Sequence, residues 1–575
     1  LDNKKNSEIN NFIYIIDILE NYLFSNIENN LSSKAYYLGH IVREMVLVHL
    51  GIKNETDRDS YMFKRIDTSG YLIAQLFRDL YFRVYNYYDE SLNSTFNRMK
   101  KDNENLNIFN VINNVNINDY LNSEIIIDGF LYAFKNCWGL QNAPCKEGVV
   151  QDLSRVSYLG TISHIRRVNT PLSASAKIRE PHSLHSSSWG YMCPIETPDG
   201  GNVGLRKGFS LLVTISPGSS SIPIYDKLIE NELILLNEIS NKEINNNTKI
   251  FLNERFIGIH YNPDILINKL KKIKRKGEID IYTSIIWNYF DNTIKINTDS
   301  GRCCRPLLIV ENNKIKLDNI KNKSWNELLK EEIIEYIDAD ESNHSMIALY
   351  KEDLKNKSIK YTHCEIHPGT INSVVTTSIP FFDSNQAPRN IFSCAQTKQA
   401  VGFYSTNFKN RIDKDAQIMY YPQRPLIYNR FSNYYHQNNL PSGINVIVAI
   451  GCYTGYNQDD SIIFNKSSID RGLFRSIQFK KYFDREEIIE NSNERLVFKY
   501  PDNDISKKSY YNYDKLDNNG FMKLNTKFND EDIIIGKVLI SNEVDKDGNQ
   551  LIYDKSIKVN KFDEGIIDKI YTNTN

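Results

Sequence analysis

The sequence has no C-x-x-C pair, no long apolar run and almost no net charge. Its eight cysteines, Cys137, Cys145, Cys193, Cys303, Cys304, Cys364, Cys394 and Cys452, are spread over 575 residues. That is far too thin for a disulfide scaffold. Reduced thiols in an intracellular compartment are the simplest reading. No run approaches about 18 apolar residues, so no membrane span is expected. The most apolar N-terminal stretch, Phe12 to Phe24, is broken by Asp17 and Glu20 and reads as neither span nor signal peptide. Lys+Arg number 70 against 71 Asp+Glu, a net charge of −1, so any basic binding site must be local. Internal repeats and long low-complexity segments are also lacking. The first residue is Leu rather than Met, which reads as a piece of a longer chain.

What is present is ordinary globular material. Hydrophobic residues make 41% and charged residues 25%, enough for several cores. At about 150 residues per domain the length suggests roughly four domains. Asn, Ile, Lys and Tyr are over-used, which we read as drift in an AT-rich genome. The first hundred residues read as helices: Leu38, Ile41, Val42 and Met45 recur at helical spacing with Gly51 as a C-cap, and Ile73, Leu76, Phe77, Leu80 and Val84 do the same. Residues 101–125 read as an Asn-rich connection. From about 150 to 216, Gly, Pro, Ser, His and Trp crowd together and end in a strand-like run, Phe209 to Ile215. Such density of turn formers suggests ordered loops that carry function. A helix is expected from about Pro263 to Arg275 and a short strand at Leu307–Val310. A second loop-rich block, 361–475, contains a buried-strand candidate, Ile444 to Ile450. The tail alternates short strands, such as Ile533–Ile540, with charged turns such as Asp545 to Gly548.

Four clusters carry candidate chemistry. Asp459 and Asp460 sit in a turn closely following the Ile444–Ile450 run. Adjacent carboxylates there can offer an oxygen ligand to a divalent ion, and they are equally common in plain turns. Arg389, in the run Asn385 to Asn390, lies near Lys398 and Gln399; a Pro-stiffened loop with both cations suits phosphate oxygens, and a loop capped by its own amides fits as well. His164, Arg166, Arg167, Lys177, Arg179, His182, His185 and Trp189 suit a nucleic-acid groove or a solvated polar loop. His182, His185 and Cys193 make a poor zinc set, with no Cys pair and unfavourable spacing, so no zinc is expected. The densest basic run, Lys269, Lys271, Lys272, Lys274, Arg275 and Lys276, lies on an amphipathic helix with Leu266, Leu270 and Ile273 inward, and reads as a solvated face.

At these loops the chain resembles a family: the second-largest (β-like) subunit of multisubunit DNA-dependent RNA polymerases. The resemblance runs in order along nearly the whole chain. It begins at Lys34 to Gly39 and Asp57-Arg58-Asp59, and continues through Ile162 to Pro171, Leu184 to Trp189 and Cys193 to Gly200. Gly301-Arg302, Arg305-Pro306-Leu307 and Thr362 to Pro368 follow, then Asn385 to Asn390, Lys398-Gln399-Ala400 and Tyr420 to Gln423. Ser467 to Gly472, Tyr513 to Asp517 and Asp532 to Gly536 complete it. The Arg-Arg-Val-Asn-Thr-Pro and Tyr-Tyr-Pro-Gln segments are of the eukaryotic and archaeal type. Phe392, Thr397, Asp199 and Asp459 depart from the family's Tyr, Gly, Glu and Glu. That drift, with the AT-rich composition, looks like a nucleocytoplasmic large DNA virus enzyme; a divergent protist nuclear polymerase is the second source reading.

The resemblance implies a mixed α+β multidomain fold: a helical lobe remnant (1–105), a protrusion piece (106–135), a β-rich fork (136–216), two external regions (217–300 and 301–370), a hybrid-binding region (371–475) and part of a wall (476–575). It also implies segments of the family that this sequence does not contain, a lysine-bearing loop and a zinc-binding clamp segment. The implied reaction is two-metal nucleotidyl transfer with Mg²⁺, the tightly held ion belonging to the largest subunit. Asp460 would reach the second metal, with Asp459 in support. Arg389 would pair with the triphosphate, and Lys398 and Gln399 would lie near the RNA 3′ end. Arg166, Arg167, Lys177, Arg179 and Asp199 would line the nucleic-acid side of the fork. Implied partners are the largest and other polymerase subunits, DNA template, RNA transcript and nucleoside triphosphates, with no membrane. The implied location is a virion or cytoplasmic viral factory if viral, the nucleus if cellular. The alternative is a non-catalytic nucleic-acid scaffold, a diverged or truncated paralogue.

Overall fold

The computed structural model describes residues 12, 14–24, 27, 30–102, 121–135, 137–141, 144, 146, 148–172, 175, 178–240, 243–244, 247–315, 323–356, 358–489, 494–501, 510–544 and 550–572. Helices and many small sheets are both present, so the expectation of a mixed helix-and-sheet fold holds. Contacts divide the chain into two units, one of residues 1–408 with 418–476, the other of residues 409–417 with 477–575.

In the first unit the N-terminal region is helical, as its periodicity predicts. One helix spans Leu31–His49, capped by Asn30, whose side chain accepts the Ser32 N–H. Gly51 just beyond it adopts φ +70°, the left-handed conformation that suits a helix stop. The stripe of Leu38, Val42 and Met45 nevertheless faces outward. A longer helix, Ser69–Asp102, buries Leu76 and Leu80 against helix Glu124–Lys135 and Trp138. Most of the expected Asn-rich connection lies outside the described residues, as do Lys177 and the Asp545–Gly548 turn.

A five-stranded sheet follows, in the order Ile234–Leu235, Arg255–His260, Thr248–Leu252, Thr293–Asn297, Ser284–Asn288. Helices Ile222–Glu230 and Pro263–Lys276 contribute Leu228, Leu266 and Leu270 to the core it shares with Ile250, Ile294 and Ile296. Pro263 opens the second helix and Gly277 closes it at φ +77°, each where its backbone preference is useful. The following sheet is built on the nine-residue strand Cys303–Glu311, which contains the expected Leu307–Val310. It pairs with Ile334–Asp338, His363–Cys364, Lys314–Ile315 and Thr214–Ile215.

Between the two sheets the solvated-face reading of the basic run holds for Lys269, Lys272 and Lys276, which are exposed, and needs correcting for Lys274 and Arg275. Lys274 is 2% exposed, with Nζ 3.3 Å from Glu335 Oε1 and 3.3 Å from Glu341 Oε1. Arg275 Nε lies 2.9 Å from Glu335 Oε2. Lys274 follows Leu266 and Leu270 at intervals of four, which places it on the buried stripe. Burial alone would lower its pKa, but Glu341 and Glu335 outweigh that and raise it. Burial pushes Glu335 up, but Lys274, with help from His363 and Arg275, holds it well below the usual carboxylate range. Glu341 is pushed up to about 7, by burial first and then by Asp338 and Glu335 against the pull of Lys274.

Three other expectations change. The Phe209–Ile215 run is not one strand: the chain pairs at Arg206–Gly208, turns near Leu211, and pairs again at Thr214–Ile215. Arg166 holds that turn through the carbonyls of Ser210 and Leu211, at 2.7 and 3.2 Å. The Ile444–Ile450 run is neither a strand nor buried. Ile447 and Ile450 are fully exposed and Val448 largely so, because the segment meets no ladder partner among the described residues. The thiols also depart from expectation: Cys193, Cys303, Cys304, Cys364, Cys394 and Cys452 are free, but Cys137 is disulfide-bonded.

The second unit carries a four-stranded antiparallel sheet in the order Glu487–Ile489, Glu494–Phe498, Lys537–Val544, Gln550–Asp554. The expected Ile533–Ile540 strand is present as two pieces, Ile533–Ile535 and Lys537–Val544, broken at Gly536. Tyr513, Leu516, Met522 and Ile533 form its core.

Candidate functional site

Two short helices organise the site. The 13-residue helix Ala387–Gln399 has Pro388 as its second residue and Gln386 as its N-cap. Its entry loop is fixed by amides: Asn390, buried, donates to Phe382 O at 2.6 Å, and Asn385 donates to Asn390 Oδ1 at 3.2 Å. The asparagines thus hold the loop, and Arg389 is exposed in the first turn, its guanidinium 5.5 Å from the Phe392 ring.

The far end of this helix abuts helix Tyr158–Ile165. Ser157 caps that second helix by accepting the Gly160 N–H at 3.0 Å, and its hydroxyl donates to Lys398 O at 2.9 Å. A Cβ on Gly160 would stand 2.7 Å from Lys398 O, so only glycine allows this approach. Gln399, the last residue of the helix, is exposed.

Lys398 meets a buried acid. Its Nζ lies 3.5 Å from Glu196 Oε1, and the Ser163 hydroxyl donates to the same oxygen. Arg167 Nη2 donates to Ser163 Oγ at 3.3 Å. Arg167 opens strand Arg167–Asn169, paired with Arg206–Gly208. Arg166 points inward to its two carbonyls, and its Nε has no hydrogen-bond partner. Burial lowers the Arg166 pKa, with Glu196 pulling the other way. Arg179 is exposed at the start of a single 3₁₀ turn, Glu180–His182. Asp199 is exposed and caps the Gly200–Asn202 turn, accepting the Gly200 N–H at 2.9 Å.

Asp459 and Asp460 are exposed and both adopt positive φ, +52° and +65°. Two consecutive left-handed residues cost strain that aspartate tolerates better than most side chains. The turn around them is tied by Asn457, which accepts the Tyr453 N–H and donates to Gly451 O, and by the Ser461 N–H on Gln458 O. Among the described residues no hydrogen bond or ion pair joins this turn to Arg389 or Lys398. No cluster of three His, Cys, Asp or Glu residues is poised for a metal among them either. The pair does offer hard carboxylate oxygens facing solvent, the donor type a magnesium ion takes.

His182, His185 and Cys193 have separate partners: Val203 O, Asp57 and Thr376 Oγ1. The His185–Asp57 pair, at 2.6 Å, joins two of the motifs quoted above, and the His185 hydrogen bond is the first cause of the lowered Asp57 pKa. Sequence reasoning singled out neither Glu196 nor Ser163 as site residues. The signal was available for Glu196, which sits inside the quoted Cys193–Gly200 motif.

Four family models match successive parts of the chain: RNA polymerase Rpb2 domain 3 over residues 151–215, domain 4 over 250–311, domain 5 over 325–368 and domain 6 over 375–575. Among curated proteins, the chain is 39% identical over 560 residues to the DNA-directed RNA polymerase II subunit RPB2 of Encephalitozoon cuniculi, covering 94% of this chain and 48% of that protein. It is 36% identical to the RNA polymerase II subunit 2 of Arabidopsis thaliana, over 98% of this chain and 48% of the relative. It is 31% identical to the DNA-directed RNA polymerase subunit 2 of Acanthamoeba polyphaga mimivirus, over 94% and 48%. The chain thus spans about half the length of the curated relatives it matches.

Proposed function

The chain belongs to the Rpb2 family of RNA polymerase second subunits, of the eukaryotic and archaeal type, and on that premise we propose that it forms one side of the active-centre cleft of a DNA-directed RNA polymerase. The observation that carries this reading is the run of four Rpb2 domains in order along one chain. The reaction is nucleotidyl transfer: the RNA 3′-oxygen bonds to the α-phosphorus of a nucleoside triphosphate as the bond to pyrophosphate breaks. The largest subunit is the obligatory partner, with the other polymerase subunits, the DNA template and the RNA transcript.

Each residue has a task in this reading. Arg389, exposed at a helix start, pairs its planar fork with triphosphate oxygens. Lys398 and Gln399, at the other end of the same helix, face the RNA 3′ end and the hybrid backbone. Arg167 and Arg179 contact phosphates and sugars, because a polymerase must accept every sequence. Asp460 would hold the triphosphate's magnesium ion, with Asp459 in support, while Asp199 lies on the nucleic-acid side of the fork. When bound, that ion supplies Lewis-acid neutralisation of charge on the phosphoryl oxygens.

The region names, lobe (1–105), protrusion (106–135), fork (136–216), external regions (217–300 and 301–370), hybrid-binding (371–475) and wall (476–575), form part of the proposal. So does a viral source, supported by the AT-rich composition, the motif departures and the mimivirus relative; the higher identity to the Encephalitozoon protein favours the second reading, a cellular nuclear enzyme. The test is reconstitution with the largest and remaining subunits on a DNA–RNA scaffold. Template-directed extension that depends on this chain is expected. Assembly and scaffold binding without extension would replace the catalytic reading with the scaffold one.

A further inference from the structure

The carboxylate of Glu196 sits at the joint of the two site helices, in contact with Ser163 and Lys398. It is 4% exposed. Its loop is pinned on both sides: the Glu196 N–H donates to Cys193 Sγ at 3.3 Å, and Glu196 O accepts the Gly208 N–H at 3.2 Å. A Cβ on Gly208 would fall 2.5 Å from Glu196 Oε2, so the carboxylate lies directly on the backbone of the strand paired with Arg167. That strand closes one side of it. A buried carboxylate is costly unless it is hydrogen-bonded and paired, and here Ser163 and Lys398 do both.

The two partners are not equally fixed. The Lys398 side chain is 19% exposed and the Glu196 side chain 5%. A lysine is a flexible four-carbon stem with a point charge at its tip. A buried acid at that tip selects one of many rotamers and leaves the remaining N–H bonds free for an incoming phosphate or hydroxyl. The Ser163 hydroxyl, which donates to Glu196, accepts from Arg167, so the same acid also orients the guanidinium.

We propose that Glu196 is a positioning residue, which fixes the Lys398 ammonium and, through Ser163, the Arg167 guanidinium for contact with nucleic acid. The inference rests on the role given to Lys398 above. Because a glutamine keeps the Ser163 acceptor, and with it the Arg167 arm, it predicts that loss of the Glu196 charge acts on the rate only through Lys398. In the reconstituted polymerase, Glu196→Gln keeps the acceptor for Ser163 and removes the charge. Single-nucleotide addition per assembled complex should slow by about 10-fold, the order seen when a partner that orients a functional side chain is lost. The loss should appear in kcat, with KM for the nucleotide unchanged, because the expected contact is with the RNA end. Lys398→Met should slow the reaction at least as much, and the double variant should be no slower than Lys398→Met alone. A purely structural Glu196 gives effects that add in the double variant, or a normal rate per complex with reduced assembly; either result overturns the inference and leaves the role of Lys398 standing. A normal rate for Lys398→Met removes both. Should Glu196→Gln not assemble, Glu196→Asp, which keeps the charge and shortens its reach, is measured with the same expectations.

Discussion

Glu335 gives the sharpest test of how the first unit is held together. One carboxylate faces three cationic or titratable groups: Lys274 at 3.3 Å, Arg275 at 2.9 Å and His363 Nε2 at 3.7 Å. Glu335→Gln keeps the shape and removes the charge. Breaking a buried pair costs about 3–5 kcal/mol, because the remaining charge is left uncompensated. Lys274 keeps Glu341 at 3.3 Å, so the lower end, about 3 kcal/mol, applies. With a urea slope of about 3 kcal/mol/M, the upper end of the usual range, the midpoint should fall by about 1 M. Trp325 reports locally, since its Nε1 donates to the Tyr336 hydroxyl one residue from Glu335. Urea unfolding followed by tryptophan fluorescence is therefore the assay. The pH dependence follows from the sign of the shift. A carboxylate whose folded pKa is depressed stabilises the fold above its unfolded value of 4.5, and that stability is lost as pH falls through the lower folded value. Wild type and variant should converge as pH falls below about 4.5. A midpoint shift under about 0.2 M at pH 7, or a gap that widens as pH falls below about 4.5, would refute the buried-network argument.

Three more expectations concern the site. Asp460→Ala should slow nucleotide addition by at least ~100-fold, the order for losing one electrostatic stabiliser, and Asp459→Ala less; a near-normal rate across a Mg²⁺ titration removes Asp460 from the active centre. Neutralising Arg167 and Arg179 together should lower the salt slope of nucleic-acid binding by about two without changing sequence preference, which a binding series from low to high salt measures. Gly160→Ala should destabilise the helix joint, since its Cβ would meet Lys398 O at 2.7 Å; the expected cost is about 1–3 kcal/mol, and a melting temperature equal to wild type would show that the joint can relax.

Local pattern made some of this legible. The Pro263–Lys276 helix follows from its apolar period, its opening Pro and its closing Gly. Lys274 was legible as well, at intervals of four from Leu266 and Leu270, but a lysine on a buried stripe makes sense only once Glu335 and Glu341 are known to wait there. Nothing local announces them: every residue of Ile334–Asp338 is buried, so the strand shows no alternation. The Ile444–Ile450 run fails for the opposite reason. Its composition suits a buried strand, yet burial requires a partner, and no partner is encoded within the run. At the site, Arg389 and Lys398 stand out in the sequence as motif cations, and Glu196 lies inside the quoted Cys193–Gly200 motif. What Glu196 pairs with is not readable there, because its partners fold against it from 33 and 202 residues away in sequence.

The bare stretch Val446-Ile447-Val448-Ala449-Ile450 also bears on how this polypeptide survives its own synthesis. It contains no charge and no proline, has high strand propensity, and lies open to solvent over most of its length. Segments of that kind seed intermolecular cross-β stacking when left uncovered. Translation runs at about 5–20 residues per second, so the next hundred residues take roughly 5–20 s to follow it from the ribosome. Two nascent chains that meet in that interval can zip together through this stretch. Recovery of usable protein should therefore fall with expression rate and improve with slow induction, holdase chaperones or co-expressed subunits, even though every core described above is intact.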